Sequence, residues 1–170
     1  DKVGNTGGLS NIASATTLAA TWDIQVIEAA GGRVGFYQGH AYDSGGNPAV
    51  AYSQDDLDDV KFAHWNGATW DIETVDAGMN VYTGISLEYS PLDGGPSISY
   101  GWGKLKFAHK SGGAWTITTL ESKNANNDVT SLVYAPDGGA TIGYKVGGST
   151  PAVKFARQDP GSGIWTKEVV

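Results

Sequence analysis

The sequence predicts an all-β fold of short antiparallel strands, and three observations support this. Glycine supplies 25 of the 170 residues and is accompanied by six Trp and eight Tyr, a composition typical of strands joined by tight turns. Apolar and polar residues alternate with the period of a strand, and no helical period competes. The phrase VKFAHWNGATW at 60–70 recurs as LKFAHKSGGAW at 105–115 and as VKFARQDPGSGIW at 153–165. This recurrence predicts one small structural unit used several times.

Tryptophans mark the length of the unit. They lie at Trp22, Trp70, Trp115 and Trp165, with spacings of 48, 45 and 50 residues, which are typical of propeller blades or solenoid units. Each tryptophan opens an alternating strand, and a second strand ending in Tyr follows after a loop. The turns DSGGNP, LDGGP and PDGGA come next, and their glycines supply the backbone angles of a tight hairpin. The following strand therefore folds back antiparallel, and the recurrent phrase supplies the strand after it.

The strand after each turn has one large and one small face. Val50 and Tyr52 share a face in the first unit, while Ala49 and Ala51 share the other, and the later units follow the same pattern. Such sheets suit stacking around an axis, so four antiparallel strands in about 47 residues predict a β-propeller blade. A β-sandwich and a parallel β-helix fit less well, because the first lacks strict repeats and the second uses shorter ones.

The chain is predicted to be a single partial propeller domain of about three and a half blades. The domain covers 1–170, with a half-blade at 12–27 and whole blades at 34–75, 81–120 and 128–170. Because a closed ring takes roughly four to eight blades, an open arc would leave two apolar faces uncovered. We expect a homo-oligomer that completes the ring, with a dimer of about seven blades favoured. The alternatives are a monomer closed as four blades, one of them incomplete, and a longer natural protein.

Charge and composition argue against several kinds of partner. The 11 basic and 18 acidic residues give a net charge of -7, which opposes binding to phosphate backbones, so no nucleic acid is expected. Cysteine is absent, which removes disulfides, thiolate zinc sites and cysteine nucleophiles. No apolar run approaches the roughly 18 to 20 residues of a membrane span. The compartment stays open, with a secreted, cell-surface or virion location favoured.

Residues 12–170 resemble a family of bacterial and phage β-propeller repeats, whose units read approximately SLxYDxxGxPxIxYxxxxxxLKFAxxxGxxWxxExV. The segments NGATW at 66–70 and DPGSGIW at 159–165 also resemble degenerate Asp-boxes, the structural turns of sialidase-like propellers. A sialidase-like enzyme would need an arginine triad, and the chain has only Arg33 and Arg157. No nucleophile is paired with a base in a recognisable context either. The sequence therefore predicts a protein that is not an enzyme and has no cofactor.

Recurrent charged positions are interpreted as architecture. Lysine recurs at one position and His or Arg at another, and each lysine stem is expected to lie along a neighbouring sheet with its head in water. Equivalent histidines on different blades are too far apart for a metal. A weak calcium candidate is the acidic run Asp55, Asp56, Asp58 and Asp59, whose oxygens calcium would accept. The run matches no calcium-loop spacing, and a solvated cluster that discourages edge pairing is the alternative.

Departures from the repeat mark the candidate ligand contacts. Gln38 and His40 stand where another blade carries the apolar pair Ile85 and Leu87, so they either contact a ligand near the ring axis or face a water-filled channel. The other candidates are aromatic residues that can stack on a sugar or pack over a neighbouring loop. They are Trp65 and Trp102 in turns, and Tyr37 and Tyr82 in loops that enter the innermost strand.

These patterns favour a non-catalytic propeller that binds a ligand through loop aromatics, with a glycan as the best guess and multivalency raising weak affinities. Fucose-binding propeller lectins are similar in having small repeated blades with a Gly-Trp turn. The resemblance implies Arg, Glu and Trp around the sugar, and this sequence has Lys or neutral residues where that set is expected. The alternatives are a structural or protein-interaction propeller, as part of a larger surface or virion protein, and a chain with no selected ligand.

Overall fold

A computed structural model describes residues 24–29, 33–54, 58–78, 84–101, 103–125, 129–147 and 149–170. These residues form twelve strands, and none of them is in a helix that could cross a membrane. In chain order the strands are β1 Val34–Tyr42, β2 Pro48–Gln54, β3 Asp59–Trp65, β4 Trp70–Asp76, β5 Ser86–Tyr89, β6 Pro96–Tyr100, β7 Gly103–Ser111, β8 Ala114–Ala125, β9 Thr130–Tyr134, β10 Ala140–Val146, β11 Ala152–Gln158 and β12 Trp165–Val169.

The strands form three antiparallel sheets of four, each in sequence order. The first sheet is β1 to β4, the second β5 to β8 and the third β9 to β12. Strand β1 contacts β5, and β5 contacts β9, so the first strands of the sheets lie side by side at the inner edge of the stack. This arrangement confirms the predicted all-β class and the antiparallel order. The predicted half-blade lies outside the described residues except for its last part, where 24–29 precede the first sheet.

The sheets stack with the small face of one against the large face of the next, as the alternation predicted. Ala49 and Ala51 of the first sheet are fully buried in one cluster with Ile98 and Tyr100 of the second. The same pattern repeats between the second and third sheets. At the inner edge the approach is so close that a Cβ on Gly39 would lie 2.8 Å from the backbone nitrogen of Leu87.

Side-chain oxygens hold the turns that follow the third strand of two sheets. In the first sheet Oδ1 of Asn66 accepts hydrogen bonds from the backbone of Ala68 and Thr69, at 3.0 and 2.9 Å. In the third sheet Oδ1 of Asp159 accepts from the backbone of Gly161 and Ser162, at 3.1 and 2.7 Å. The second sheet instead uses two glycines with positive φ at 112 and 113, which lets the chain reverse without a side-chain acceptor.

A carboxylate, a lysine and a tyrosine form the same contact at each of three boundaries. Between the first and second sheets Oδ2 of Asp76 accepts from Lys106 at 2.7 Å and from Tyr100 at 2.9 Å. The other two sets are Glu28 with Lys61 and Tyr52, and Glu121 with Lys154 and Tyr144. The lysine heads were expected in water, but they pair with these acids because the preceding strand ends beside them. We call each set a boundary triad.

Candidate ligand clefts between the sheets

Three clefts open along the stack at equivalent positions of the repeat. The first cleft, of about 480 Å³, lies between residues 24–29 and the first sheet. The second, of about 450 Å³, lies between the first and second sheets, and the third, of about 340 Å³, between the second and third. These volumes lie within the range of small-molecule sites, roughly 300 to 1,000 Å³.

An acid on the turn after the first strand pairs with a histidine or an arginine on the third strand of every sheet. Oδ2 of Asp43 lies 2.9 Å from Nε2 of His64, and Oδ2 of Asp93 lies 2.9 Å from Nε2 of His109. In the third sheet the pair is Asp137 and Arg157. The first two pairs line the second and third clefts, while Arg157 lies beside a recess on the uncovered face of the third sheet.

Hydrogen bonds keep the Asp43 carboxylate ionised. The side chain and backbone of Asn47 both donate to it, followed by His64, and together they hold the pKa of Asp43 well below its usual range. For Asp93, burial opposes ionisation, but hydrogen bonds from Gly95, Ser90 and His109 lower its pKa to about 2. Both acids are therefore hydrogen-bond acceptors at neutral pH.

Two polar atoms in the second cleft region are buried without a hydrogen-bond partner among the described residues. They are the hydroxyl of Tyr89 and Nε1 of Trp115. Tyr89 lines the cleft, and the Trp115 ring packs edge-on against Phe62 of the opposite wall at 5.5 Å between centroids. Burial, reinforced by the charge of Asp43, raises the pKa of Tyr89 to about 12, so its hydroxyl stays protonated. Buried polar atoms without partners cost free energy, and a ligand or water that reaches them recovers it.

Charged side chains complete the second cleft. Nζ of Lys110 lies 2.5 Å from Oε1 of Glu73 and 5.9 Å from the centre of the Trp115 ring. Asp71 also lines the cleft and accepts hydrogen bonds from Asn66 at 3.1 Å. The cleft therefore combines aromatic rings with carboxylate acceptors, the groups that suit the C–H faces and the hydroxyls of a sugar.

The third cleft has the same plan, but neutral side chains replace two of the charged side chains of the second cleft. Thr118 and Gln158 occupy the repeat positions of Glu73 and Lys110. The hydroxyl of Tyr134 is 2.6 Å from Oγ of Ser97. Tyr134 occupies the repeat position of Tyr89, so this tyrosine is paired in the third cleft, whereas Tyr89 has no partner among the described residues of the second. The difference arises because alanine occupies the position of Ser97 in the first sheet.

The first cleft is the most aromatic of the three. Trp65 and Trp70 line it with ring centroids 5.7 Å apart and planes tilted by 60°. Nε1 of Trp70 donates to Oε1 of Gln25 at 3.1 Å, which fixes that ring against the segment before the first sheet. His40 and Tyr42 also line the cleft.

The structure brings two sequence-predicted contacts, Trp65 and His40, into the first cleft. Gln38 is exposed on the same face and lines a neighbouring recess. Tyr37 lies within β1 rather than in a loop, and it packs against the core. Trp102 and Tyr82 lie outside the described residues.

The predicted acidic run is only half described. Asp55 and Asp56 lie outside the described part, Asp58 has a φ of 55°, and Oδ1 of Asp59 accepts from the backbone of Gly78 at 3.1 Å. Within the described ranges, no group of three His, Cys, Asp or Glu could hold a metal ion.

Sequence reasoning missed Tyr89, Trp115, Glu73 and Lys110. The tyrosine and the tryptophan recur in every unit, and recurrence of this kind is expected of residues that build the blade itself. The informative signal is a recurrent aromatic residue beside a charged residue that does not recur. Only the second unit has lysine at the repeat position of Lys110, and among the three whole units only the first and third have glutamate three residues after the tryptophan.

No protein-family model matches the chain, and neither does any curated protein sequence. Among solved structures, the chain is similar to a mutant Aleuria aurantia lectin in complex with alpha-methyl-L-fucoside, with a TM-score of 0.60, 15% identity, and coverage of 79% of this chain and 44% of the lectin. The complex of that lectin with Fucalpha1-6GlcNAc has a TM-score of 0.56 and 16% identity, over 79% of this chain and 45% of the lectin.

A fucose lectin from Kordia zhangzhouensis, in complex with methyl-fucoside, gives a TM-score of 0.51 and 14% identity over 77% of this chain and 96% of that one. The chain thus spans less than half the length of the Aleuria lectin. At these identities the likeness shows the fold alone, which is the β-propeller fold of these lectins.

Proposed function

We propose that the protein is a non-catalytic, lectin-like propeller that binds carbohydrate in the clefts between its sheets. The observation that carries the proposal is the second cleft, which is lined by Tyr89 and by the Asp71 and Glu73 carboxylates, and in which the buried Tyr89 hydroxyl has no hydrogen-bond partner among the described residues. A sugar offers what this cleft needs, since its hydroxyls both donate and accept and its C–H face packs on aromatic rings.

The state of the cleft acids supports binding rather than catalysis. A general acid or base works best with a pKa near the working pH, whereas hydrogen bonds hold the pKa of Asp43 far below it. Glu73 is engaged by Lys110. The solved neighbours are lectins in complex with fucosides, which supports a glycan as ligand. The repeat-family origin and the Asp-box character of the turns remain predictions.

We further propose that each chain holds about three and a half blades and that a second copy completes the ring. Glu28 pairs with Lys61 and Tyr52 as Asp76 and Glu121 pair with the sheets that follow them, which supports residues 24–29 as the outermost strand of a half-blade. The two ends of the stack expose apolar side chains, with Ile24 90% exposed and Val153 58% exposed. Burying such surfaces would favour association.

A glycan array probed with the full chain on a multivalent support tests the carbohydrate proposal. We expect binding to a restricted set of glycans, reduced at least about tenfold by Tyr89→Phe through the loss of a buried hydrogen bond. Thr119→Ala, an exposed change on β8, is the matched control. Absence of binding to every glycan at high valency, with a folded protein, would rule the proposal out.

Light scattering after size exclusion tests the ring. We expect a dimer that dissociates when Val153→Lys places a charge on the uncovered face of the third sheet. A monomer at every concentration of the unmodified chain would contradict the oligomer.

The second candidate is a structural or protein-interaction propeller without a small ligand. The exposed apolar side chains at both ends of the stack favour it, because patches of this kind mark protein contacts. The array distinguishes the two candidates, since an interaction module would form the assembly and bind no glycan.

A further inference from the structure

The residues that break the repeat in the first unit converge on one face of the first sheet. Trp65 stands where the other sheets carry Lys110 and Gln158, and His40 stands where they carry Leu87 and Leu132. Nothing in the sequence alone connects the two changes, since His40 and Trp65 are 25 residues apart. In the structure both line the first cleft.

Among the described residues, the lining of this cleft is aromatic and aliphatic and includes no Asp, Glu, Lys or Arg. Among its described residues the only ionisable groups are His40 and Tyr42, whereas the second cleft holds Asp43, Glu73 and Lys110. Tyr42 is 64% exposed, and Trp65 and Trp70 are half-buried at an angle of 60°. This corner allows one ring of a ligand to stack on one indole while its edge meets the other.

The same face continues past the cleft toward the inner edge of the sheet. A recess of about 300 Å³ lies there, lined by Gln38, Tyr52 and Glu28. The Glu28 carboxylate accepts from Lys61 at 2.6 Å and from Tyr52 at 2.7 Å, so its charge is already paired. It shares Ile27 and Val50 with the first cleft, so the two form one groove. Gln38 and His40 are exposed along this groove, whereas Leu87 and Leu132 at the repeat position of His40 are buried.

The polar changes fit an extended ligand better than a single ring. Gln38 and His40 lie two residues apart on one strand, so their side chains project from the same face about 7 Å apart. One amide and one imidazole at that separation can each bond a hydroxyl of a different sugar unit. The indoles hold the outer end of the groove, and the polar pair lies toward its inner end.

We infer that the groove of the first sheet is a separate subsite for a neutral oligosaccharide of two or more pyranose rings. Trp65 and Trp70 stack on one ring, and His40 and Gln38 bond the hydroxyls of the next. The inference rests on the proposed carbohydrate function and names the ligand class of one particular cleft.

The test uses the indole N–H signals of the full chain in NMR titrations with cellobiose, lactose, maltose, glucuronic acid and methyl α-L-fucoside. Trp65→Gln and His40→Leu place residues that another sheet carries at the same position, so the fold should be retained, and circular dichroism checks this. We expect at least one neutral disaccharide to shift the Trp65 or Trp70 signal. Trp65→Gln should weaken that binding at least about tenfold through the loss of ring stacking.

Thr119→Ala is the control, because this exposed residue of β8 does not line any of the three clefts and should leave disaccharide binding within about twofold. The inference alone fails if glycans bind on the array but the disaccharides shift only Trp115, or if Trp65→Gln and His40→Leu have no effect. It also fails if glucuronic acid binds the first cleft better than every neutral disaccharide. Absence of any glycan binding, on the array and in the titrations, overturns the proposed function as well.

Discussion

Nζ of Lys106 lies 2.7 Å from Oδ2 of Asp76 across the boundary between the first and second sheets. Tyr100 donates to the same oxygen at 2.9 Å, and both members of the ion pair have side chains that are 15% exposed. Because the pair is largely shielded from water, removing one partner would leave the other charge uncompensated, which costs more than breaking a surface ion pair. The same polar contact recurs at three boundaries.

Asp76→Asn is expected to lower the free energy of unfolding by about 2 kcal/mol, because it leaves the Lys106 charge shielded from water and without its counter-ion. Urea denaturation followed by tryptophan fluorescence measures the change. Asp71→Asn, at an exposed position on the same strand, should cost less than about 0.5 kcal/mol. Equal effects of the two substitutions would show that the triad has no special role.

Gly39→Ala is expected to destabilise the protein by about 2 kcal/mol through overpacking. The new Cβ would lie 2.8 Å from the nitrogen of Leu87 and 2.9 Å from the carbonyl oxygen of Ile85, so β1 and β5 would have to separate. Gly143→Ala is the control, since a Cβ there meets no described atom within 4 Å. Thermal unfolding compares them, and a Gly39→Ala protein as stable as the control would contradict this close approach.

Asp93 should make the protein sensitive to acid. Its pKa falls from 3.8 to about 2 in the folded protein, so its ionised form stabilises the fold. That contribution is complete above about pH 4 and is lost as the pH falls toward 2. Melting temperatures of the unmodified protein and of Asp93→Asn should therefore converge over this interval. A difference that stays constant between pH 4 and 2 would exclude the linkage.

Tyr89→Phe and Tyr134→Phe are expected to change stability in opposite directions. The Tyr89 hydroxyl is buried and has no partner among the described residues, so its removal should stabilise the ligand-free protein by about 1 kcal/mol. The Tyr134 hydroxyl pairs with Ser97 at 2.6 Å, and its removal should cost about 1 kcal/mol. Calorimetry without glycan measures both. Destabilisation by Tyr89→Phe would point to a bound water that satisfies the hydroxyl.

The fold was predictable because the signals are local and repeated. Alternation along each strand and glycines in each turn indicate the sheet order without any knowledge of distant contacts. The boundary triads were harder to predict from the sequence, since Asp76 and Lys106 are 30 residues apart. Their signal was present, because Glu28, Asp76 and Glu121 each follow an opening tryptophan by six residues, but the partner of such an acid depends on how two sheets stack.

The candidate site was predictable only where the repeat is broken. His40 and Trp65 stand out from the pattern, and the structure places both in one cleft. Tyr89 and Trp115 follow the pattern, so no feature of the sequence distinguishes them from scaffold. The Tyr89 hydroxyl has no partner among the described residues because alanine stands where the second sheet has serine, and the effect of that change appears only when two sheets face each other.

The boundary triads have a direction. The first and second sheets each offer an acid to the sheet after them, and all three sheets offer a lysine and a tyrosine to the acid before them. The contact therefore runs in the same direction at every boundary. Because the same contact recurs at each boundary, we expect that one unit can replace another, or that the chain can be circularly permuted, as long as each junction keeps its acid and its lysine with the tyrosine. The side chains that line the clefts differ from one junction to the next, so they can change without altering the boundary triads.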